Sequence, residues 1–188
     1  MAQMVFLDTD VIIDYLENRN QEVRDIIAQL LLLHKKGKVI LTTSVFNIAE
    51  LIDKEFEIHF IGWCLEKRMS YDEIVKRLNR DEKLFKEVAE VNRKEIENKI
   101  KSFIFGKELK LLSFSGTEEY QELYDLIYKR NLRSQDALIA TAALANKVTY
   151  FLSNDSNLIS KIGDLLDAYN LRDKNLRDLF KSNVVEAI

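Results

Sequence analysis

Val5-Phe6-Leu7-Asp8-Thr9-Asp10 is the stretch that decides the fold. Three consecutive apolar residues suit a strand buried on both faces, and the run stops at Asp8, as such a strand does where it surfaces at its carboxyl end. Residues 11–16 then carry apolar side chains on a helical period. Residues 21–33 continue as helix, closed by Lys36-Gly37-Lys38 with basic residues and a terminal glycine. Val39-Ile40-Leu41-Thr42-Thr43 reads as a second strand. Ser44 suits the cap of the helix that follows, with Ile48, Ala49, Leu51 and Ile52 on its inner side.

Beyond residue 54 the pattern changes. Ser70-Tyr71-Asp72-Glu73 is a capping box, and residues 81–103 read as one long, densely charged helix. A third strand is expected at 109–114, a second capping box at Ser115-Gly116-Thr117-Glu118, and helices at 119–129 and 135–145, the latter capped by Ser134. Val148-Thr149-Tyr150-Phe151-Leu152 is a fourth strand. The remainder reads as mainly helical, with 165–171 as a strand alternative. Strands alternating with helices give an α/β fold, a central parallel sheet flanked by helices. The chain is read as a single domain over 1–188, with 54–108, which holds no strand-like run, as a helical insertion.

Composition narrows the function. The 188 residues include 28 basic and 31 acidic side chains, a net charge of −3, which excludes a histone-like or tail-type nucleic-acid binder. Fourteen of those bases and 12 of those acids fall within residues 54–110, so that segment is +2 and the remainder of the chain −5. Cys64 is the single cysteine, which rules out an intrachain disulfide and a cysteine-based zinc site. No run of about 18–20 apolar residues is present to span a membrane. The N-terminal residues lack the basic start of a signal peptide, so a cytoplasmic protein is expected.

Four acids stand where ligands bind in open α/β folds, beyond the carboxyl ends of strands. Asp8 follows the first strand, and Asp155 follows the fourth after Ser153 and Asn154. Glu50 lies within the helix after the second strand, and Asp136 occupies the first turn of its helix. Each also has a plain structural reading: Asp8 as a helix cap, Asp136 as a first-turn acid, Asp155 as a turn former, Glu50 as a solvent-facing residue. Acids gathered at one sheet rim repel one another unless a cation neutralises them, and oxygen-only ligands suit Mg2+ or Mn2+. Such ions serve phosphodiester hydrolysis.

These blocks resemble the PIN-domain nucleases, the family that includes VapC-type toxins. Phe6-Leu7-Asp8-Thr9-Asp10-Val11-Ile12-Ile13 is similar to the family's opening strand. Thr43-Ser44-Val45-Phe46-Asn47-Ile48-Ala49-Glu50-Leu51 is similar to its second block, and Asp136-Ala137-Leu138-Ile139-Ala140-Thr141-Ala142-Ala143-Leu144 to its third. Ser153-Asn154-Asp155 is similar to its last. The likeness covers about 1–54 and 109–165. It implies a Mg2+- or Mn2+-dependent endoribonuclease in which Asp8, Glu50, Asp136 and Asp155 are the catalytic metal ligands, with no protein nucleophile. Thr9 and Ser153 would hydrogen-bond those carboxylates, and Asp10 would be an additional ligand or, as the preferred reading, a supporting residue that orients the loop. The partners implied are RNA, a second copy of the chain and, for a toxin, a small antitoxin protein. The insertion departs from the compact toxin-type members and leaves a processing nuclease as the other reading.

Arg130 and Arg133, just before Asp136, are the substrate-contact candidates. Lys67-Arg68, Lys76-Arg77, Arg80 and Arg93-Lys94 are read instead as a solvated helical face of i,i+4 ion pairs. Phe56, Phe60 and Trp63 are read as core or interface, and His34 and His59 are given no role. Two rival functions follow from the same residues. Asp8-Thr9-Asp10 also resembles the haloacid-dehalogenase-type phosphatases, with Asp8 as nucleophile and Gly163-Asp164-Leu165-Leu166-Asp167 as a metal motif. A non-catalytic PIN scaffold that binds RNA or protein is the other.

Overall fold

Val5, Phe6 and Leu7 are all fully buried, as a strand covered on both faces requires. They belong to β1 (Gln3–Leu7), the middle strand of a five-stranded parallel sheet in this computed structural model, which describes residues 2–84 and 86–186. The other strands are β2 (Val39–Ser44), β3 (Lys110–Leu112), β4 (Tyr150–Ser153) and β5 (Asp167–Asn170), in the order β3-β2-β1-β4-β5. Every neighbouring pair is parallel. The chain therefore builds outward from β1 to β3, then returns to the opposite edge of β1 with β4. That reversal is a topological switch point, and it opens a crevice between the carboxyl ends of β1 and β4.

The chain divides into two compact units, Met1–Ile48 with Leu109–Ile188, and Ala49–Glu108. In the first, side chains alternate across the sheet. Phe6 and Phe151 point to one face and stack with ring centroids 5.0 Å apart. They are packed by α6 (Thr117–Tyr128), α7 (Ser134–Ala145) and α8 (Ser156–Ile162) through Leu126, Ile139, Ala140, Leu158 and Ile162. Val5, Leu7 and Leu152 point the other way by the two-residue period of a strand. On that side lie α1 (Thr9–Leu16) and α2 (Gln21–Lys35), with Val11, Ile12, Val23, Ile26, Ile27 and Leu30 buried. Helix α7 buries Ala137, Ile139, Ala140, Thr141, Ala142 and Ala143, nearly its whole circumference, which small side chains permit. Gly37 ends α2 with φ +69°: its amide reaches the His34 carbonyl and the Lys38 amide reaches the Leu33 carbonyl, satisfying two orphan carbonyls of the last turn. After β5 the chain forms α9 (Lys174–Phe180) and a short π turn over Lys181–Val185.

The second unit is built of helices joined by turns, with no strand among its described residues. It contains most of α3 (Val45–Glu66), then α4 (Tyr71–Leu78), a 3-10 turn over Glu82–Leu84, and α5 (Lys86–Ile104). Ser70 and Glu73 form the expected reciprocal capping box. Phe60, Cys64 and Ile74 make a small buried cluster with Trp63 against it, the core role expected of Phe60 and Trp63. Its charges pair locally, as in Lys54–Glu57, Arg77–Glu82 and Lys101–Glu97. No described helix is long and apolar enough to cross a membrane.

Local expectations fail at several points. The helix expected over 81–103 does not begin at Asp81, whose φ of 59° is incompatible with right-handed helix. Phe85, within that span, lies outside the described residues. Helix α6 is capped by Gly116 and α7 by Arg133, neither through a side chain, so Ser115 and Ser134 are not the caps their composition suggested. On α3 only Leu51 is buried among the four residues assigned to its inner side; Ile48 is half-buried, and Ala49 and Ile52 are exposed. Strand β5 falls inside the 165–171 alternative.

The Phe6–Phe151 stack joins the two central strands on one face. Phe151→Ala is expected to lower unfolding free energy by about 3–5 kcal/mol, measured by urea denaturation, whereas Phe151→Leu should lose much less.

Candidate functional site

Asp8 is the first residue beyond β1, and its amide donates to the Leu152 carbonyl of β4 at 3.0 Å. That bond carries the β1–β4 pairing one residue past the strand and sets the Asp8 turn beside Ser153-Asn154-Asp155. Asp8 caps α1, with Oδ1 accepting from the Thr9 amide at 2.8 Å and from Asn47 Nδ2 at 2.9 Å. Asn47 also donates to Thr9 Oγ1 at 2.9 Å, and Ser44 Oγ accepts from the Asn47 amide at 3.1 Å. Ser44 is thus the cap expected for α3, and Asn47 is the tie between the ends of β1 and β2. Asn47 was not singled out from sequence, although it lies inside the Thr43–Leu51 block.

Asp10 occupies the first turn of α1, and both its oxygens accept from the Asn154 amide, at 3.1 and 2.9 Å. It therefore orients the loop after β4, the supporting role expected of it. Ser153 is buried, and its hydroxyl accepts from the Asp155 amide at 3.0 Å. Its contact is thus to the backbone of Asp155 rather than to the carboxylate expected from sequence. Asp155 is exposed and caps α8, Oδ1 accepting from the Asn157 and Leu158 amides at 2.8 and 3.1 Å. Asp136 is half-buried in the first turn of α7, and no donor among the described residues hydrogen-bonds its carboxylate. The plain structural readings of Asp8, Asp136 and Asp155 are thus all realised, alongside the clustering.

The clustering shows in their acidities. Burial and then the charge of Asp8 hold the Asp10 carboxyl well above its ordinary range, with Asp14 adding to the push and the Asn154 and Val11 amides opposing it. Burial and then the charge of Asp155 raise Asp136, while Arg133 and Lys161 pull it back. The charge of Asp8 thus opposes the ionisation of Asp10, and that of Asp155 opposes the ionisation of Asp136. A hard divalent cation would relieve both, and this all-oxygen donor set suits Mg2+ or Mn2+. Among the described residues no three acid, histidine or cysteine side chains converge as they stand into a cation cage. Mg2+ tolerates that, because it is commonly held by one or two carboxylates, with water and substrate phosphate completing its shell. Glu50 lies on α3 in the second unit and is half-buried.

The two arginines separate. Arg130 is committed: Nη1 and Nη2 reach the Asp164 carboxylate at 2.6 and 2.8 Å, and Nη1 reaches the Lys161 carbonyl at 2.7 Å. It is a brace between the end of α6 and the turn after α8, a correction to its role as substrate contact. Arg133 is exposed and feels the Asp136 charge. Lys161, which sequence reasoning passed over, feels it too, and its Nζ donates to the Asn131 carbonyl at 2.6 Å. The Asp164 ion pair also counts against the phosphatase reading. The residues before Gly163 are helix α8 rather than strand, and Asp164 is held by Arg130.

A carboxyl harder to ionise in the folded chain than in the unfolded one subtracts from stability once pH rises above its ordinary value, and most above its raised one. Asp10→Asn is therefore expected to stabilise the metal-free protein at neutral pH. Urea unfolding across pH should show that gain shrinking as pH falls through the raised value and vanishing below about pH 3, where the wild-type carboxyl is protonated in both states.

The chain is similar in fold to a chain in the crystal structure of VapBC2 from Rickettsia felis bound to a DNA fragment from their promoter. The TM-score is 0.52 at 18% identity, over 87% of this chain and 96% of that chain. No family model and no curated protein matches. The likeness is one of fold: a parallel α/β sheet flanked by helices.

Proposed function

We propose that the protein is a PIN-type endoribonuclease that uses Mg2+ or Mn2+ to hydrolyse RNA phosphodiester bonds. One observation carries the reading: Asp8, Asp136 and Asp155 come from three separate segments to the switch-point end of the first unit, where burial and then the charges of Asp8 and Asp155 raise Asp10 and Asp136. Capping explains why single acids occupy two of these places, but it does not require a mutually repelling set. Glu50 joins the ligands on the strength of the motif resemblance alone. A divalent ion held there supplies an activated water and stabilises the charge of the phosphodiester transition state.

The chain's own residues have distinct tasks in this scheme. Buried Asp8, half-buried Asp136 and exposed Asp155 would hold the cation through their carboxylates. Thr9 and Asn47 fix Asp8, and Ser153 and Asp10 fix the loop that bears Asp155. Arg133 and Lys161 supply positive charge for an incoming phosphate. The motifs are similar to those of VapC-type toxins, and the similar fold comes from a VapBC2 structure, so we take a small antitoxin protein as a partner, in a cytoplasmic homodimer.

A pool of single-stranded and hairpin RNAs incubated with Mn2+ tests this directly. Cleavage should require the metal and fall at least about 100-fold in Asp136→Asn, since charge stabilisation worth several kcal/mol is lost and each 1.4 kcal/mol is about tenfold. A folded wild type that binds RNA but never cuts it would turn the reading toward a non-catalytic scaffold. Arg133→Ala should weaken RNA binding and reduce the salt slope by about 1, whereas Arg130→Ala should leave that slope unchanged and lower stability.

A further inference from the structure

Arg172 lies just beyond β5, outside every motif that carries the proposed site. Its guanidinium grips Asp14 with two bonds, Nη2 to Oδ1 at 2.6 Å and Nε to Oδ2 at 2.9 Å. The Asp14 carboxylate is buried, whereas Arg172 is about half exposed. A buried carboxylate needs such a partner. Asp14 has a second: Asn154 Nδ2 donates to its Oδ2 at 3.0 Å. Asp14 and Asp10 are one helical turn apart on the same face of α1, so Asn154 is held by both, its side-chain amide on Asp14 and its backbone amide on Asp10. Its carbonyl is taken as well, by Asn170 Nδ2 at 3.2 Å, and Asn170 Oδ1 in turn accepts from the Arg172 amide at 2.9 Å.

Asn154 is thus gripped at its amide, its carbonyl and its side chain, and the next residue is Asp155. We propose that Arg172 is a positioning residue for the acidic site, fixing the Asp155 carboxylate through Asp14 and Asn154. The inference rests on the metal-site reading above. Arg172 does not touch the cation or the RNA in this scheme. It supplies the counter-charge and two hydrogen bonds that the buried Asp14 carboxylate needs, and so keeps Asp14 against Asn154. The planar fork matters as much as the charge, because both Asp14 oxygens are engaged at once.

The test is titration calorimetry with Mn2+ alone on wild type, Arg172→Ala, Arg172→Lys, Asp14→Asn and the double variant Arg172→Ala with Asp14→Asn, each first confirmed folded by circular dichroism. Arg172→Ala is expected to weaken Mn2+ binding about 10–100-fold, the usual cost of losing a group that orients ligands, and Arg172→Lys to fall between it and wild type. The double variant should bind no worse than Arg172→Ala, because the two losses share one route. A purely structural brace would lower stability and leave the Mn2+ affinity of the folded molecules unchanged, and that result overturns the inference. Independent, additive losses from Asp14→Asn and Arg172→Ala overturn it too. Where Arg172→Ala does not fold, unchanged affinity in Arg172→Lys decides against it. A wild type that binds no Mn2+ removes the metal site and this inference together, whereas equal binding by wild type and Arg172→Ala removes only the inference.

Discussion

The bond from the Asp8 amide to the Leu152 carbonyl is one rung beyond the β1–β4 ladder, and the rest of the site depends on it. A parallel sheet that grows to one side of its first strand and then to the other must leave a crevice where the growth reverses. That rung fixes how the two chain exits face each other across it. Thr9, Asp10 and Asp14 then follow along α1 on one side, and Ser153, Asn154 and Asp155 follow β4 on the other. The stacked Phe6 and Phe151 rings lie immediately beneath, so packing and pairing specify the same register.

Within that frame two demands compete. Helix N-termini favour acidic caps, and Asp8 and Asp155 answer that demand with their Oδ1 atoms. Burying the acids and bringing them together, however, raises Asp10 and Asp136 above their ordinary range. Amides soften the repulsion at Asp10, and the cations of Arg133 and Lys161 soften it at Asp136. Asp14 is treated differently. It is the most deeply buried of the acids on α1, and it has a full counter-charge in Arg172.

The sequence made the strand positions and the acidic ends legible because both are local signals: a buried run terminates, and an acid follows. The parallel α/β architecture came from the alternation of elements, and the Ser70–Glu73 capping box from its spacing. What escaped was set by distant partners. Arg130 is adjacent to Asp136 in sequence, yet its side chain is drawn to Asp164. Asp14 and Arg172 are 158 residues apart, and no periodicity joins them. Ser115 and Ser134 lost their capping places to Gly116 and Arg133 because tertiary packing, rather than side-chain preference, decided where α6 and α7 begin. Asn47 and Lys161 gave no signal alone, since an amide or an amine acquires its meaning from the acid it faces.

The reluctance of Asp10 to ionise has a consequence for the lifetime of the chain. A group that resists ionisation when folded lowers the stability of the metal-free molecule at neutral pH, and cleavage by proteases tracks the population of open molecules. A proton, or the cation proposed above, that quiets this carboxylate would then also shield the polypeptide from degradation, even where no RNA is present.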